Sequence, residues 1–460
     1  MLVSKLERSI GIEVYATSSA GIGGNIKQKA EDFVVKEILA DGSRAEAESE
    51  KEAEKPVLGA TSTRGRYLLC VLTKKNWDTF IALRNIAQKL GISSTQIQIA
   101  GIKDAKAVTA QHITIENESM EDVQNLHLKD IEIRPMGYVR SRLSPYYLQG
   151  NNFNITITNI RHLKSTTNKR IAKAIGEIDI QGGIPNFFGH QRFGTTRPIT
   201  HLVGKAIVKS DLKKAALLFL AKPSRYEHPS SRQARQELRK TQDFQQALEI
   251  FPKQLRYERL MLRSLAENPS DFSGAFARLP IRLRRIFVQA YQSFLFNRFL
   301  SSRIKQGLSL TEAETGDYIV CVERSGLPMP AMHKMVSQEN LAENNRAIES
   351  GKVRLALPLI GLRQHSSQGI QGDIERKILQ EEGIAPQNFK VAAMPEMSSK
   401  GELRSMVTPV RDFRVVDIFD DPTASERRVA RVSFTLYRGS YATVVLRELM
   451  KTCRPIQAGF

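Results

Sequence analysis

Asp104 is a lone carboxylate among basic and small residues, in the stretch Ala100-Gly101-Ile102-Lys103-Asp104-Ala105-Lys106-Ala107-Val108-Thr109-Ala110-Gln111. A short apolar run at 97–100 precedes it and an alternating run at 108–115 follows, which predicts two strands and a tight turn between them. Such a turn holds a side chain at a rim between two rigid elements, where a nucleophile or base has to sit. Asp and Gly are also the ordinary residues of turns, so this block points to chemistry only in company. Company comes from Gly182-Gly183-Ile184-Pro185-Asn186-Phe187-Phe188-Gly189-His190-Gln191-Arg192-Phe193-Gly194. These residues make a poor helix or strand but a good binding loop, because an aromatic face stacks on a base while amides read its polar edge. Each stacked base contributes roughly 1–3 kcal/mol, enough to offset the few kcal/mol that extrude a nucleotide from its stack. The competing reading is a loop that tucks its Phe side chains into a core. His190 has no second ligand at metal spacing and is expected to line the loop or face solvent.

The elements that must position these blocks belong to a strongly basic chain. Lys and Arg number 68 against 48 Asp and Glu over 460 residues, a net charge of +20 spread along the sequence. A field of that sign attracts polyanions, and nucleic acid is the expected partner. No apolar run approaches a membrane span and no signal-peptide core opens the chain, so no membrane partner is expected. Cys70, Cys321 and Cys453 are far apart, which suggests neither a disulfide framework nor a zinc site. The reading is a reduced, cytoplasmic protein of two or three domains.

Residues 25–38 end as a strand, and 40–65 then lose nearly all large apolar side chains, with Glu46, Glu48, Glu50, Glu52 and Glu54 among them. A mobile acidic loop is expected there. A strand follows at 66–72, then a helix from the N-cap Asp78 to Gly91 with Phe80, Leu83, Ala87 and Leu90 on one face. Further strands are expected at 153–158 and a helix at 166–176. This order favours a mixed or antiparallel sheet with helices on it rather than regular βαβ units. From about 199 to 403 the texture becomes helical and basic, as in Arg232, Arg235, Arg239 and Lys240. Pro280 opens a helix with Leu283, Phe287, Ala290 and Phe294 inward, and short strands are expected at 318–322 and 353–358. Strand patterns return at 413–418 and 432–436, before a final helix that ends at Met450. The expected organisation is one lobe (1–205 and 404–460) interrupted by an α/β insertion (206–403). The Gly21–Gly24 run lacks the Gly-Lys-Ser/Thr of a phosphate loop and a preceding strand, and is set aside.

Blocks 25–38, 101–111, 185–194 and 439–449 occur in the order seen in the TruD family of pseudouridine synthases, which this chain resembles. The shared patterns are a lysine followed by E-D-F-x-V-x-E, then G-x-K-D-x-x-A-x-T-x-Q and N-x-F-G-x-Q-R-F-G. An A-x-x-S-x-L-F-N-type helix (here 290–297) and a terminal G-S-[FY]-A-T-x-x-x-R-E-L complete the set, so the matches span nearly the whole chain. The resemblance implies an α+β, pseudouridine-synthase-like catalytic domain with a mixed or antiparallel sheet, interrupted by the family's insertion domain, with an RNA cleft between them. It implies an isomerase that moves the glycosidic bond of a tRNA uridine from N1 to C5, without cofactor or metal.

On the same resemblance the nucleophile lands on Asp104 and the family's lysine on Lys27. Desolvation under stacked aromatics would favour the neutral acid, so a Lys27–Asp104 ion pair is expected to answer it. The alternative is that Lys27 only touches phosphate. Phe188 is expected to stack on the flipped uracil, and Asn186 to hydrogen-bond the base or order the loop. A Phe in place of the tyrosine usual in related families removes a possible general base at C5. Gln191 and Arg192 are expected to contact base or phosphate, or, for Arg192, to form a buried structural ion pair. Phe33 and Glu37 read as core and support, and Ser440 and Thr443 as shaping the turn beside the pocket. The acidic loop and the long insertion resemble the archaeal and eukaryotic branch, whose targets extend beyond the family's usual uridine 13 to other RNA. A monomer is expected. The alternative from another class is a non-catalytic RNA-binding or RNA-folding protein on the same scaffold.

Overall fold

The structure, a computed structural model, describes residues 2–46, 56–422 and 424–460. In chain order its strands are β1 (Phe33–Leu39), β2 (Tyr67–Lys75), β3 (Ile97–Ile99), β4 (Val108–Glu116), β5 (Ile131–Val139), β6 (Leu148–Ile160) and β7 (Ile184–Pro185). After a long helical stretch come β8 (Tyr318–Val322), β9 (Pro328–Met335), β10 (Val353–Leu359), β11 (Glu402–Ser405), β12 (Val407–Thr408), β13 (Arg411–Asp421) and β14 (Ala424–Tyr437). Among the described residues the largest sheet has eight strands in the order β13-β14-β6-β1-β4-β2-β5, with β3 also paired to β4. The β1–β4 pair is parallel, Val34 opposite Val108, and the other pairs are antiparallel. The fold is therefore α+β with a mixed sheet, and strands from both ends of the sequence lie side by side in it. A second sheet, β11-β10-β8-β9, is built wholly from residues between 318 and 405, and β12 pairs with β7.

Strand β2 shows why the large sheet stands firm. Alternate side chains of a strand point to opposite faces. Leu68, Cys70 and Leu72 enter one core cluster with Ala82, Leu83 and Ile86 of the helix Thr79–Leu90. Leu69, between them, enters another with Leu39, Val57 and Ala60. Both faces are covered, so the strand is a near-continuous apolar run. The helix begins at the expected cap, Asp78 accepting from the Phe80 and Ile81 amides at 2.9 and 3.1 Å, and stops at Gly91 with φ 71°.

Three expectations need correction. The inner stripe of that helix is Ala82, Leu83, Ile86 and Ala87, whereas Phe80 is 46% exposed; Thr79, buried beside it, takes the inner position of the first turn. The mobile acidic loop expected over 40–65 does not hold for its described ends. Ala45 N donates to Glu37 O at 2.9 Å, Glu46 pairs with Lys36, and Val57 and Ala60 are buried; Glu48, Glu50, Glu52 and Glu54 lie outside the described residues. Finally, β5 escaped the sequence reading because Pro135 and Gly137 interrupt its pattern. It ends the strand order, and an edge strand tolerates a residue that lacks an amide donor.

The helix Ile281–Lys305 buries Phe287, Ala290, Tyr291, Leu295 and Phe299, with Leu283 and Phe294 half-buried. Its Asn297 reaches out of the helix, accepting from Phe188 N at 2.9 Å and donating to Phe188 O at 3.1 Å and Ile10 O at 3.0 Å. One buried amide thus fixes the Phe-rich loop to the long helix. No helix of the described residues is long and apolar enough to cross a membrane.

Candidate active site

Between β3 and β4 the chain is pinned on both sides of Asp104. A Cβ at Gly101 would lie 2.9 Å from the end of the Leu148 side chain, so the backbone here passes close under that residue. Gln111 donates to Gly101 O at 3.1 Å, and the Thr79 hydroxyl bridges Lys103 N and O at 3.2 Å each. The Lys74 ammonium donates to the backbone oxygens of Asp104 at 2.9 Å and Trp77 at 2.8 Å. Burial pulls that amine down to about 8, against the charge of Asp104. The sequence reading missed Lys74. Its signal was period two: Lys74 follows Leu68, Cys70 and Leu72 on one face of β2.

The neighbouring Lys103 turns inward. Its Nζ lies 2.6 Å from Glu37 Oε1, both side chains buried, and the other Glu37 oxygen accepts from His112 N at 2.9 Å. Burial alone would raise the Glu37 pKa; His112 and the Lys103 charge outweigh it and hold the carboxyl below its ordinary range. Glu37 is a support placed under the turn, as expected. Asp104 by contrast points outward, with Oδ1 3.3 Å from Lys27 Nζ and side-chain exposures of 32% and 11%. The carboxylate expected in a dry site is thus partly open to water. Lys27 adopts φ 56°, a conformation that costs a non-glycine residue roughly 1–3 kcal/mol. Its neighbours hold it there: Asn25 bridges to Thr158, and Ile26 N donates to Ala458 O at 2.8 Å. The amine also sits 4.1 Å above the Phe33 ring.

The Phe188 loop is ordered by strands far away in sequence. Asn186 donates from its side chain to Ser405 O at 3.1 Å, and its own oxygens accept from Arg404 at 3.1 and 2.6 Å. Of the two roles open to Asn186, the structure shows loop ordering. The free stacking face expected of Phe188 is not free: the ring is 6% exposed, and the Arg404 guanidinium lies 4.1 Å over it. A cation without a carboxylate partner settles on the negative face of an aromatic ring. Gln191 is exposed and accepts from the Thr443 hydroxyl at 3.2 Å. Arg192 donates to Ser293 at 3.1 Å and Gln289 at 3.5 Å, so it is not a buried ion pair. His190 is buried rather than lining or surface, and burial pushes its pKa down to about 4.

The chain's last residues tie the two blocks together. Phe460 packs edge-on to His190 with ring centroids 5.9 Å apart. At Gly459, φ 95°, a Cβ would come within 2.1 Å of Ile26 O, the residue before Lys27. Ser440 lies 2.9 Å from the Thr408 hydroxyl, and a Cβ on Gly189 would meet the Thr443 hydroxyl at 2.8 Å, so both turn residues flank the loop. The Gly21–Gly24 run docks on the final helix, Ile22 N to Leu449 O at 2.9 Å and Gly23 N to Met450 O at 3.0 Å.

Residues 9–449 match the family model described as tRNA pseudouridine synthase D (TruD). The chain is 40% identical over 451 residues to a probable tRNA pseudouridine synthase D of Methanosarcina barkeri, covering 98% of each. It is 36% identical over 441 residues to the corresponding protein of Thermococcus sibiricus, covering 95% of this chain and 97% of that one. A crystal structure of the Methanosarcina mazei protein assigned to TruD superposes with a TM-score of 0.82 at 38% identity, over 99% of this chain and 100% of that chain.

Proposed function

Since the chain belongs to the tRNA pseudouridine synthase D (TruD) family, we propose that it isomerises uridine 13 of tRNA, with Asp104 as the nucleophile and Lys27 as its counter-charge. One observation carries this reading: an outward carboxylate 3.3 Å from an ammonium, on a turn whose backbone is pinned on either side. Asp104 adds to the ribose C1′ or to the uracil ring as the N1–C1′ bond breaks. The ring rotates and rejoins through C5, and the C5 proton leaves to solvent or to the freed carboxylate. Lys27 is the counter-charge beside the attacking carboxylate when the arriving base excludes water. Phe188 takes the uracil on its ring once Arg404 slides aside, and Gln191 and Arg192 face the RNA. In this reading residues 1–205 and 404–460 form the catalytic lobe and 206–403 the insertion. A tRNA lies in the basic cleft between them on a single copy of the chain, in the cytoplasm.

Tritium release from 5-tritiated uridine in tRNA transcripts tests the reading. Release is expected from the wild-type transcript and not from one with cytidine at position 13. A protein that only binds or folds RNA releases none, and release from the cytidine-13 transcript would move the target to another uridine.

Lys27→Met separates the two roles weighed for Lys27. As a counter-charge its loss lowers kcat by about 10²-fold, about 2.7 kcal/mol of barrier, with tRNA affinity within about threefold. A loss confined to affinity would make Lys27 a phosphate contact instead.

A further inference from the structure

Where β9, β10 and β11 meet the end of β14, a cavity of about 150 Å³ opens beside Asn186, and Arg354, Arg404 and Arg438 line it. None of the three arginines pairs with a carboxylate among the described residues. Arg404 donates to Asn186 and to Gly439 O at 2.8 Å, and Arg438 donates to Pro145 O at 2.8 Å and Leu148 O at 3.4 Å. Arg354 lies 5.6 Å over the Tyr437 ring, whose hydroxyl accepts from Arg411 at 3.3 Å. Burial pulls Arg354 below its ordinary range and Arg404 to about 10. The one carboxylate on the lining, Glu402, is itself pushed toward its neutral form by desolvation.

A second, independent feature lies at the same cavity. Ser405 lines it, is 3% exposed, and its hydroxyl has no hydrogen-bond partner among the described residues. Desolvated cations that face only neutral acceptors, and a buried hydroxyl beside them without a partner, are costly, and a tetrahedral anion with several acceptor oxygens answers both. The planar guanidinium fork suits phosphate oxygens better than it suits a point charge. Through Asn186 and Phe188, Arg404 also joins this cavity to the loop that receives the base.

We infer that the Arg354–Arg404–Arg438 cavity is a phosphate site, and that it holds a backbone phosphodiester of the substrate RNA next to the extruded nucleotide. The inference rests on the tRNA reading above, yet its test reads binding and needs no turnover. Affinity of the full chain for tRNA is measured across a salt series for wild type, Ser405→Ala, Arg438→Gln and Arg438→Lys. Ser405→Ala removes a hydroxyl with no partner among the described residues, so its melting temperature is expected to hold or rise while Kd increases about threefold. Arg438→Gln is expected to raise Kd about tenfold and to reduce the slope of log Kd against log salt by about one. Arg438→Lys keeps the charge and restores the slope. Inorganic phosphate at constant ionic strength should displace tRNA from the wild type and less from Arg438→Gln. Unchanged Kd and slope in both Ser405→Ala and Arg438→Gln would overturn the site. Phosphate binding that Arg438→Gln abolishes, with tRNA affinity intact, would overturn its assignment to RNA. Failure of wild-type tritium release would instead sink the isomerisation reading and leave these binding results standing.

Discussion

Asp104→Asn is expected to lower tritium release by at least about 10³-fold and to leave tRNA affinity within about threefold. The amide has nearly the shape of the carboxylate but no charge with which to attack. The anchors that hold this turn reach its backbone: Lys74 bonds the Asp104 carbonyl oxygen, and Thr79 bonds Lys103. None of them depends on the side chain that changes. The ion pair itself is partly exposed, with Asp104 32% open, and such pairs contribute roughly 0–1 kcal/mol to stability. The melting temperature should therefore barely move, so a lost activity reads as lost chemistry. Turnover that persists in Asp104→Asn removes the residue from its assigned role.

The largest expected effect on stability comes from the buried group beneath that turn. Glu37→Gln leaves the Lys103 ammonium buried without its anion, and breaking a buried pair by removing one partner costs about 3–5 kcal/mol. It also weakens the acceptor that holds His112 N. The double variant Glu37→Gln, Lys103→Met removes both charges and is expected to recover much of that loss. The pH dependence has a definite sign. Glu37 has its folded pKa depressed below the unfolded value of about 4.3. Its contribution is therefore present above that pH and is lost as pH falls through the folded value. Urea unfolding at pH 7 and in the acid range below about 4 checks this: the gap between wild type and Glu37→Gln should narrow on acidification. An equal gap at both pH values would mean that the charge of Glu37 carries no stability.

Much of this protein was legible without coordinates, and the reason is locality. Asp78 as a cap, Gly91 as a stop and the alternation of Phe153, Ile155 and Ile157 each follow from interactions within a few residues of chain. The mixed sheet and the placement of Asp104 between two strands follow from such patterns taken in order. A charge balance of +20 is a sum over residue types and needs no fold. The lysine and aspartate blocks, 77 positions apart, could be paired only by resemblance, and the folded chain brings them to 3.3 Å.

What covers each ring, and which charge answers which, was decided by tertiary structure alone. The resemblance makes Phe188 a stacking surface, and composition alone leaves a core-tucked loop equally open. The fold buries Phe187, Phe188 and Phe193, lays Arg404 over the Phe188 ring, and anchors that guanidinium on Asn186, 218 positions upstream. Lys74 and Lys103 carry no local sign of their partners; one holds a carbonyl, the other faces a buried glutamate. A side chain's partner across the fold depends on how sheets and helices close on one another, and no periodicity along the chain encodes that distance.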